Sequence, residues 1–141
     1  MNFDVRPMRA ADIEACLVLW QESDGVVLRA SSDQPEAILA FLERNPGLSW
    51  VAETSQGMLV AALLCGHDGR RAYLYHLAVR TEWRQLGCGR AMVNAALERL
   101  KLAGIPRCHA FVSMENEVGK RFWEELGAER REDVALFTLR L

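Results

Sequence analysis

The sequence predicts one α+β domain spanning residues 1–141, with a mixed, mostly antiparallel central sheet flanked by helices. Three observations predict it. The 141 residues fit one domain and can bury an apolar core without disulfides or metals. The periodic segments run strand, two helices, three strands, helix, strand, helix, strand. The segment 73–112 is a strand–helix–strand unit long enough for one parallel crossover among strands otherwise joined by short turns.

Phe3, Val5 and Pro7 alternate with polar residues and predict the first strand. Ile13, Cys16, Leu17 and Trp20 fall at i, i+3, i+4 and i+7, one face of a helix from about Ala10 to Ser23. Pro35 opens a second helix with Ile38, Leu39, Phe41 and Leu42 on its apolar face, and Asn45-Pro46-Gly47 stops it. Residues 50–53 and 58–64 are strands about the turn Ser55-Gln56-Gly57, and the aromatic and aliphatic run 72–79 is a central strand. A long helix over 87–103 buries Met92, Val93, Ala96, Leu97 and Leu100 and ends at Gly104 and Pro106. A strand over 108–112, a helix over 117–126 and a closing strand over 134–139 complete the pattern.

A formal net charge of -2 argues against a nucleic-acid partner or a membrane surface. No apolar run approaches the ~20 residues of a membrane span, and the first residues have no apolar segment like that of a signal peptide. Cys16, Cys65, Cys88 and Cys108 form no C-x-x-C pair, which predicts free thiols and a cytoplasmic protein. His67, His76 and His109 lack ligand spacing, so no metal is expected.

Chemistry concentrates in Arg84-Gln85-Leu86-Gly87-Cys88-Gly89-Arg90, between the central strand and the long helix. Two glycines two apart allow a tight turn and a close approach to the backbone. The first helical amides have no partner, and the helix dipole favours an anion there. Arg84 and Arg90 can add charge-assisted contacts. Met92 stands where a dinucleotide fingerprint has its third glycine, which argues against an NAD oxidoreductase. Gly87 and Gly89 could also simply shape a connection.

The segment resembles the cofactor motif of the GNAT superfamily of N-acetyltransferases, Arg/Gln-x-x-Gly-x-Gly/Ala, through Arg84, Gly87 and Gly89. Leu77-Ala78-Val79 is similar to the end of that family's fourth strand. The stretch from Asn116 to Ala128 resembles its last helix, and the three segments fall in the family's order. The resemblance implies a GNAT-like acyl-CoA N-acyltransferase fold with acetyl-CoA as cosubstrate. It implies that amides from Gln85 through Leu86, Gly87, Cys88 and Gly89 to Arg90 bind the pyrophosphate. It also implies that Leu77, Ala78 and Val79 hold the pantetheine by backbone bonds and that Asn116 contacts it. Asn116 is equally a good helix cap.

Trp123 stands where relatives commonly carry a Tyr that protonates the leaving thiolate, and an indole does not give up its proton. Tyr75 is the first choice for that role. Tyr73 and Tyr75 occupy positions where several relatives place a base, and with an ordinary phenol pKa of ~10 both are poor bases. Strict alternation puts Tyr73, Tyr75 and Leu77 on one face and His76 on the other, unless a bulge intervenes. Glu22, Asp24 and Asp33 lie where relatives build the acceptor wall, and Glu22 is a candidate for orienting or deprotonating the amine. Cys88 is a poor candidate nucleophile, having no adjacent His. The expected activity is acetyl transfer to a primary amine of a small molecule or peptide by direct attack in a ternary complex. The alternative is a non-catalytic CoA-binding or sensor module. Monomer and homodimer both stay open.

Overall fold

The computed structural model describes all 141 residues, in two compact units, Met1–Phe111 and Val112–Leu141. The first holds a five-stranded sheet in the order β1 (Asp4–Pro7), β2 (Trp50–Glu53), β3 (Leu59–His67), β4 (Ala72–Val79) and β5 (Cys108–Ala110). The first four strands pair antiparallel, and β5 joins β4 in parallel through the predicted crossover. Its helix is α3 (Cys88–Leu102). Helices α1 (Ile13–Gln21) and α2 (Pro35–Arg44) lie between β1 and β2 in the chain. A short 3₁₀ turn, Ala10–Asp12, precedes α1. No helix is long and apolar enough to cross a membrane.

Strand alternation divides the core in two. Cys16, Leu19 and Trp20 of α1 and Ile38 of α2 pack with Val51, Ala62, Leu64 and Ala78 of the sheet. Met92, Val93, Ala96 and Leu100 of α3 are buried on the opposite face. β3 is covered on both sides, so Leu59 to Gly66 are all buried, the pattern of a central strand. At Gly66 a Cβ would meet Phe41 Cζ and Asn45 Nδ2 at 2.7 Å, so glycine lets α2 lie directly on β3. Asn45 then accepts the His67 amide at 3.1 Å and ties the end of α2 to that strand.

The other edge is fastened by charge. Arg6 on β1 forms paired bonds to Asp12 (2.8 and 2.9 Å) and to Glu53 on β2 (2.9 and 3.1 Å). Asp12 also accepts the Arg9 amide at 2.8 Å. Burial pushes the Asp12 carboxyl up, but the bonds from Arg6 and Arg9 outweigh it and hold it below its ordinary value. The Arg6 bond lowers Glu53 as well. Asp12→Ala removes one of the two carboxylate partners of a half-buried guanidinium, leaves Glu53 as the other, and is expected to cost about 1–2 kcal/mol in urea unfolding at neutral pH. Both carboxyls are depressed in the fold. Their contribution is therefore complete above the ordinary carboxylate range of ~4 and is lost as pH falls through the folded values. The variant and the parent should converge in acid. A gap that persists there would assign the loss to packing.

The second unit contains α4 (Glu117–Glu125), where Phe122 and Trp123 meet edge to face at 5.2 Å. One expectation fails here. Residues 134–139 form no strand, and Val134, Leu136, Phe137 and Leu139 are exposed. The apolar run has strand propensity, but α4 is the only regular element of its unit, so no strand there offers a ladder of hydrogen bonds. The strand expected over 108–112 is also shorter, ending at Ala110.

Candidate active site

The site grows from the place where β4 and β5 part. Their register runs Ala72 to Cys108, Tyr73 to His109 and Leu74 to Ala110, and then stops. Beyond Leu74 the β5-side edge of β4 carries Tyr75, His76, Leu77, Ala78 and Val79 with no strand partner. Backbone groups on such an edge can accept an extended ligand as a further strand does. Leu77, Ala78 and Val79 lie on this edge, and the Val79 carbonyl already accepts Arg84 Nε at 3.1 Å.

After β4 the chain makes a 3₁₀ turn, Thr81–Trp83, anchored by the buried Trp83. Gln85 (φ +61) and Gly87 (φ +93) are both left-handed, which turns the chain tightly into the start of α3. Gly87 is the residue before α3, and no side chain caps that helix. The first backbone bond at this end is from Ala91 to the Gly87 carbonyl, which leaves the amides of Cys88, Gly89 and Arg90 without helical partners. Arg84, Gln85, Leu86 and Arg90 are exposed around them, while Cys88 and Gly89 are buried. Burial pushes the Cys88 thiol above its ordinary value, which leaves it protonated and a weak nucleophile. The four cysteines are all free, and burial raises Cys16 and Cys65 to about 12 and Cys108 to about 11.

Next to this loop, a cleft of about 120 Å³ is lined by Leu19, Glu22, Val79, Arg80 and Arg84, among others. Glu22, the predicted acceptor-wall residue, stands 3.8 Å from Arg80 and is largely exposed. Asp24 is exposed in the turn after α1. Asp33 is neither exposed nor free: its Oδ1 lies 2.7 Å from His76 Nε2, and its Oδ2 accepts the Arg29 amide at 2.6 Å. Of the three expected wall carboxylates, Asp33 is thus engaged by His76, while Glu22 and Asp24 are exposed.

Strict alternation also breaks in β4. Leu64 opposes Tyr75 and Ala62 opposes Ala78, so His76 and Leu77 together face the single residue Leu63. This is a bulge, and His76 bears its strain at φ +54. The extra residue turns His76 onto the α1 face, where its ring sits 5.2 Å from Trp20. Tyr75 and Ala78 also pack into that core, so alternation after the bulge sends Leu77 to the opposite face from Tyr75. The expectation that Tyr75 and Leu77 share a face, with His76 turned away, is thus corrected.

Tyr75 packs edge-on against Phe41 at 6.1 Å and stacks with Tyr73 at 6.2 Å. Phe111, which the sequence does not single out, lies parallel to Tyr73 at 5.9 Å and extends the aromatic surface. Burial raises the Tyr75 phenol above its ordinary value, so it holds its proton at neutral pH and can donate a hydrogen bond. In the second unit Asn116 caps α4, its Oδ1 accepting the Gly119 amide at 2.8 Å.

The sequence profile of the acetyltransferase (GNAT) family matches residues 13–128. An acetyltransferase of Pectobacterium atrosepticum is 30% identical over 133 residues, which cover 94% of this chain and 92% of that protein. One of Sodalis glossinidius is 30% identical over 138 residues, 98% of this chain and 95% of its own. In fold the chain is similar to the PaiA N-acetyltransferase of Thermoplasma acidophilum in complex with coenzyme A. The TM-score is 0.81 at 20% identity, over 96% of this chain and 94% of that one. It is also similar to an aminoglycoside acetyltransferase from an uncultured soil metagenomic sample in complex with sisomicin, with TM-score 0.74 at 18% identity over 99% and 96%. The profile match over most of the chain and the two full-length relatives agree with the open mixed sheet and the glycine turn: this chain is an acyltransferase of the acetyltransferase (GNAT) family.

Proposed function

We propose that this acyltransferase moves the acetyl group of acetyl-CoA to a primary amine by direct attack within a ternary complex. The observation that carries the reading is two unpartnered backbone stretches that follow one another in the chain: the β5-side edge of β4 from Tyr75 to Ala78, and the uncapped amides Cys88, Gly89 and Arg90. The first suits an amide-containing arm that adds like a strand; the second suits a pyrophosphate. The coenzyme A in the similar Thermoplasma protein supports the cosubstrate. Arg84, Gln85, Leu86 and Gly87 complete the phosphate cradle, and Asn116 is assigned to the cofactor beside its capping role. The thioester then lies near Leu77, whose amide polarises the carbonyl as charge grows on its oxygen. Tyr75 protonates or hydrogen-bonds the departing thiolate, and Tyr73 and Glu22 border the acceptor.

The sisomicin held by the metagenomic enzyme supports a polyamine-like small molecule among the acceptors to be tried, and a peptide amine is the other class. Four free thiols fit a reducing, cytoplasmic setting. Release of free CoA should be followed with kanamycin, spermidine, lysine and an alanine-terminated peptide. Turnover with acetyl found on the amine nitrogen supports the reading. Tight acetyl-CoA binding without turnover on any amine favours the non-catalytic module, which Trp123 in place of the common Tyr would suit.

A further inference from the structure

The geometry points to His76, oriented by Asp33, as the group that takes the proton from the acceptor amine. The assignment rests on the amine-transfer reading above. The bulge places the imidazole on the same face as Tyr75, on the part of β4 that β5 has released. An ionised carboxylate only accepts hydrogen bonds, so Asp33 fixes the ring proton on Nε2 at 2.7 Å. Nδ1 makes no hydrogen bond within the protein, and its lone pair is left for a ligand. The His76 side chain is 17% exposed, enough to be reached, while that of Asp33 is 8% exposed. With the Arg29 amide on its second oxygen, Asp33 cannot swing away without breaking the loop that carries it.

The arrangement carries local costs. A left-handed non-glycine residue within a strand is strained by roughly 1–3 kcal/mol. Trp20, against which His76 packs, has a buried indole N–H without a partner. An unstrained β4 would point His76 at the opposite, apolar face covered by α3. The surroundings are simple electrostatically. Asp33 is the full charge in contact with the ring. From α1 the ring meets Trp20, and Glu22 at the end of α1 lies beside Arg80. β3 offers Ala62 and Leu64 on this face, α3 turns apolar residues to the other, and β5 brings His109 against Tyr73. On β4 itself the neighbours are the neutral phenols Tyr73 and Tyr75.

The ammonium of the acceptor gives one proton to Nδ1, forming an imidazolium that the Asp33 carboxylate stabilises through Nε2–H. The freed nitrogen lone pair attacks the thioester carbon, a C–N bond forms, and the C–S bond breaks with its electron pair leaving on sulfur. The thiolate gains a proton, with Tyr75 as its donor, and the nitrogen loses its second proton, which restores the phenol through water. The imidazolium releases its proton to solvent. One acetyl-CoA and one ammonium give one amide, one thiol and one proton.

The test is the pH dependence of kcat at saturating substrates, using the fastest amine of kanamycin, spermidine, lysine and the alanine-terminated peptide. The unaltered chain should show kcat rising with pH as the imidazole loses its proton. His76→Gln should lower kcat ~100-fold and erase that ionisation, with acetyl-CoA affinity in calorimetry unchanged within about twofold. Asp33→Asn should lower kcat roughly tenfold while leaving its rise with pH in place and acetyl-CoA affinity within about twofold, because the imidazolium loses its partner. A folded His76→Gln that keeps the ionisation, or keeps kcat within about threefold, overturns the assignment. If that variant fails to fold, the His76 ring is titrated by NMR in the unaltered protein bound to CoA. Its ionisation must coincide with that of kcat, and a ring that does not titrate there overturns the assignment equally. Absence of CoA release by the unaltered chain with every amine counts against the transfer reading itself, and this assignment falls with it.

Discussion

Gly89→Val is expected to weaken acetyl-CoA binding at least 100-fold while the protein stays folded. Gly89 is buried in the first turn of α3, between two unpartnered amides. A branched side chain there occupies the space through which a phosphate reaches the Cys88, Gly89 and Arg90 amides. Hydrogen bonds to a charged group contribute about 1.5–3 kcal/mol each, so losing two of them corresponds to roughly 100-fold or more in Kd. The helix should tolerate the change, since valine has a better intrinsic helix propensity than glycine. Calorimetry gives the affinity and a thermal melt gives the fold. An unaltered Kd in a folded variant would remove the turn as the pyrophosphate site.

Tyr75→Phe is expected to lower kcat ~100-fold, the usual scale for loss of a positioned proton donor. Phenylalanine keeps the edge contact to Phe41 and the stack on Tyr73, so packing changes little. Burial already holds the phenol above its ordinary value, so the missing group is a protonated hydroxyl across the neutral range. Acetyl-CoA affinity should stay within about twofold, which separates a transition-state contact from a binding one. A full-rate variant would transfer the donor role to water or to another side chain. If both kcat and the unfolding midpoint fell together, Tyr75 would count as core.

The two results probe different depths of legibility. The glycine turn could be seen in the sequence because its chemistry is local: Gly87, Gly89 and the start of α3 are neighbours in the chain, and the unpartnered amides follow from helix geometry alone. The helices were legible for the same reason, since the apolar stripes of α1, α2 and α3 repeat within a few residues. What periodicity could not supply is the bulge. Alternation in β4 is a property of one strand, whereas the insertion at His76 and Leu77 appears only when β4 is laid against β3 and two residues must share Leu63. The conflict was latent in the residues, because Tyr75 and Ala78 both belong in the α1 core although three positions apart. The pairing of Asp33 with His76 spans 43 residues and depends on that bulge, so no spacing rule reaches it. The closing strand failed for a related reason. Residues 134–139 have the side chains of a strand, but a strand is completed by a partner, and no regular strand lies in the unit from Val112 to Leu141.

The measurement that tests the central claim most directly is a crystal structure of the chain with CoA. The account predicts pyrophosphate oxygens within ~2.7–3.2 Å of the Cys88, Gly89 and Arg90 amides, the usual hydrogen-bond range. It predicts the pantetheine arm along β4 between Tyr75 and Val79, with the sulfur next to the Tyr75 hydroxyl. A pyrophosphate held elsewhere, with the start of α3 left to solvent, would contradict it.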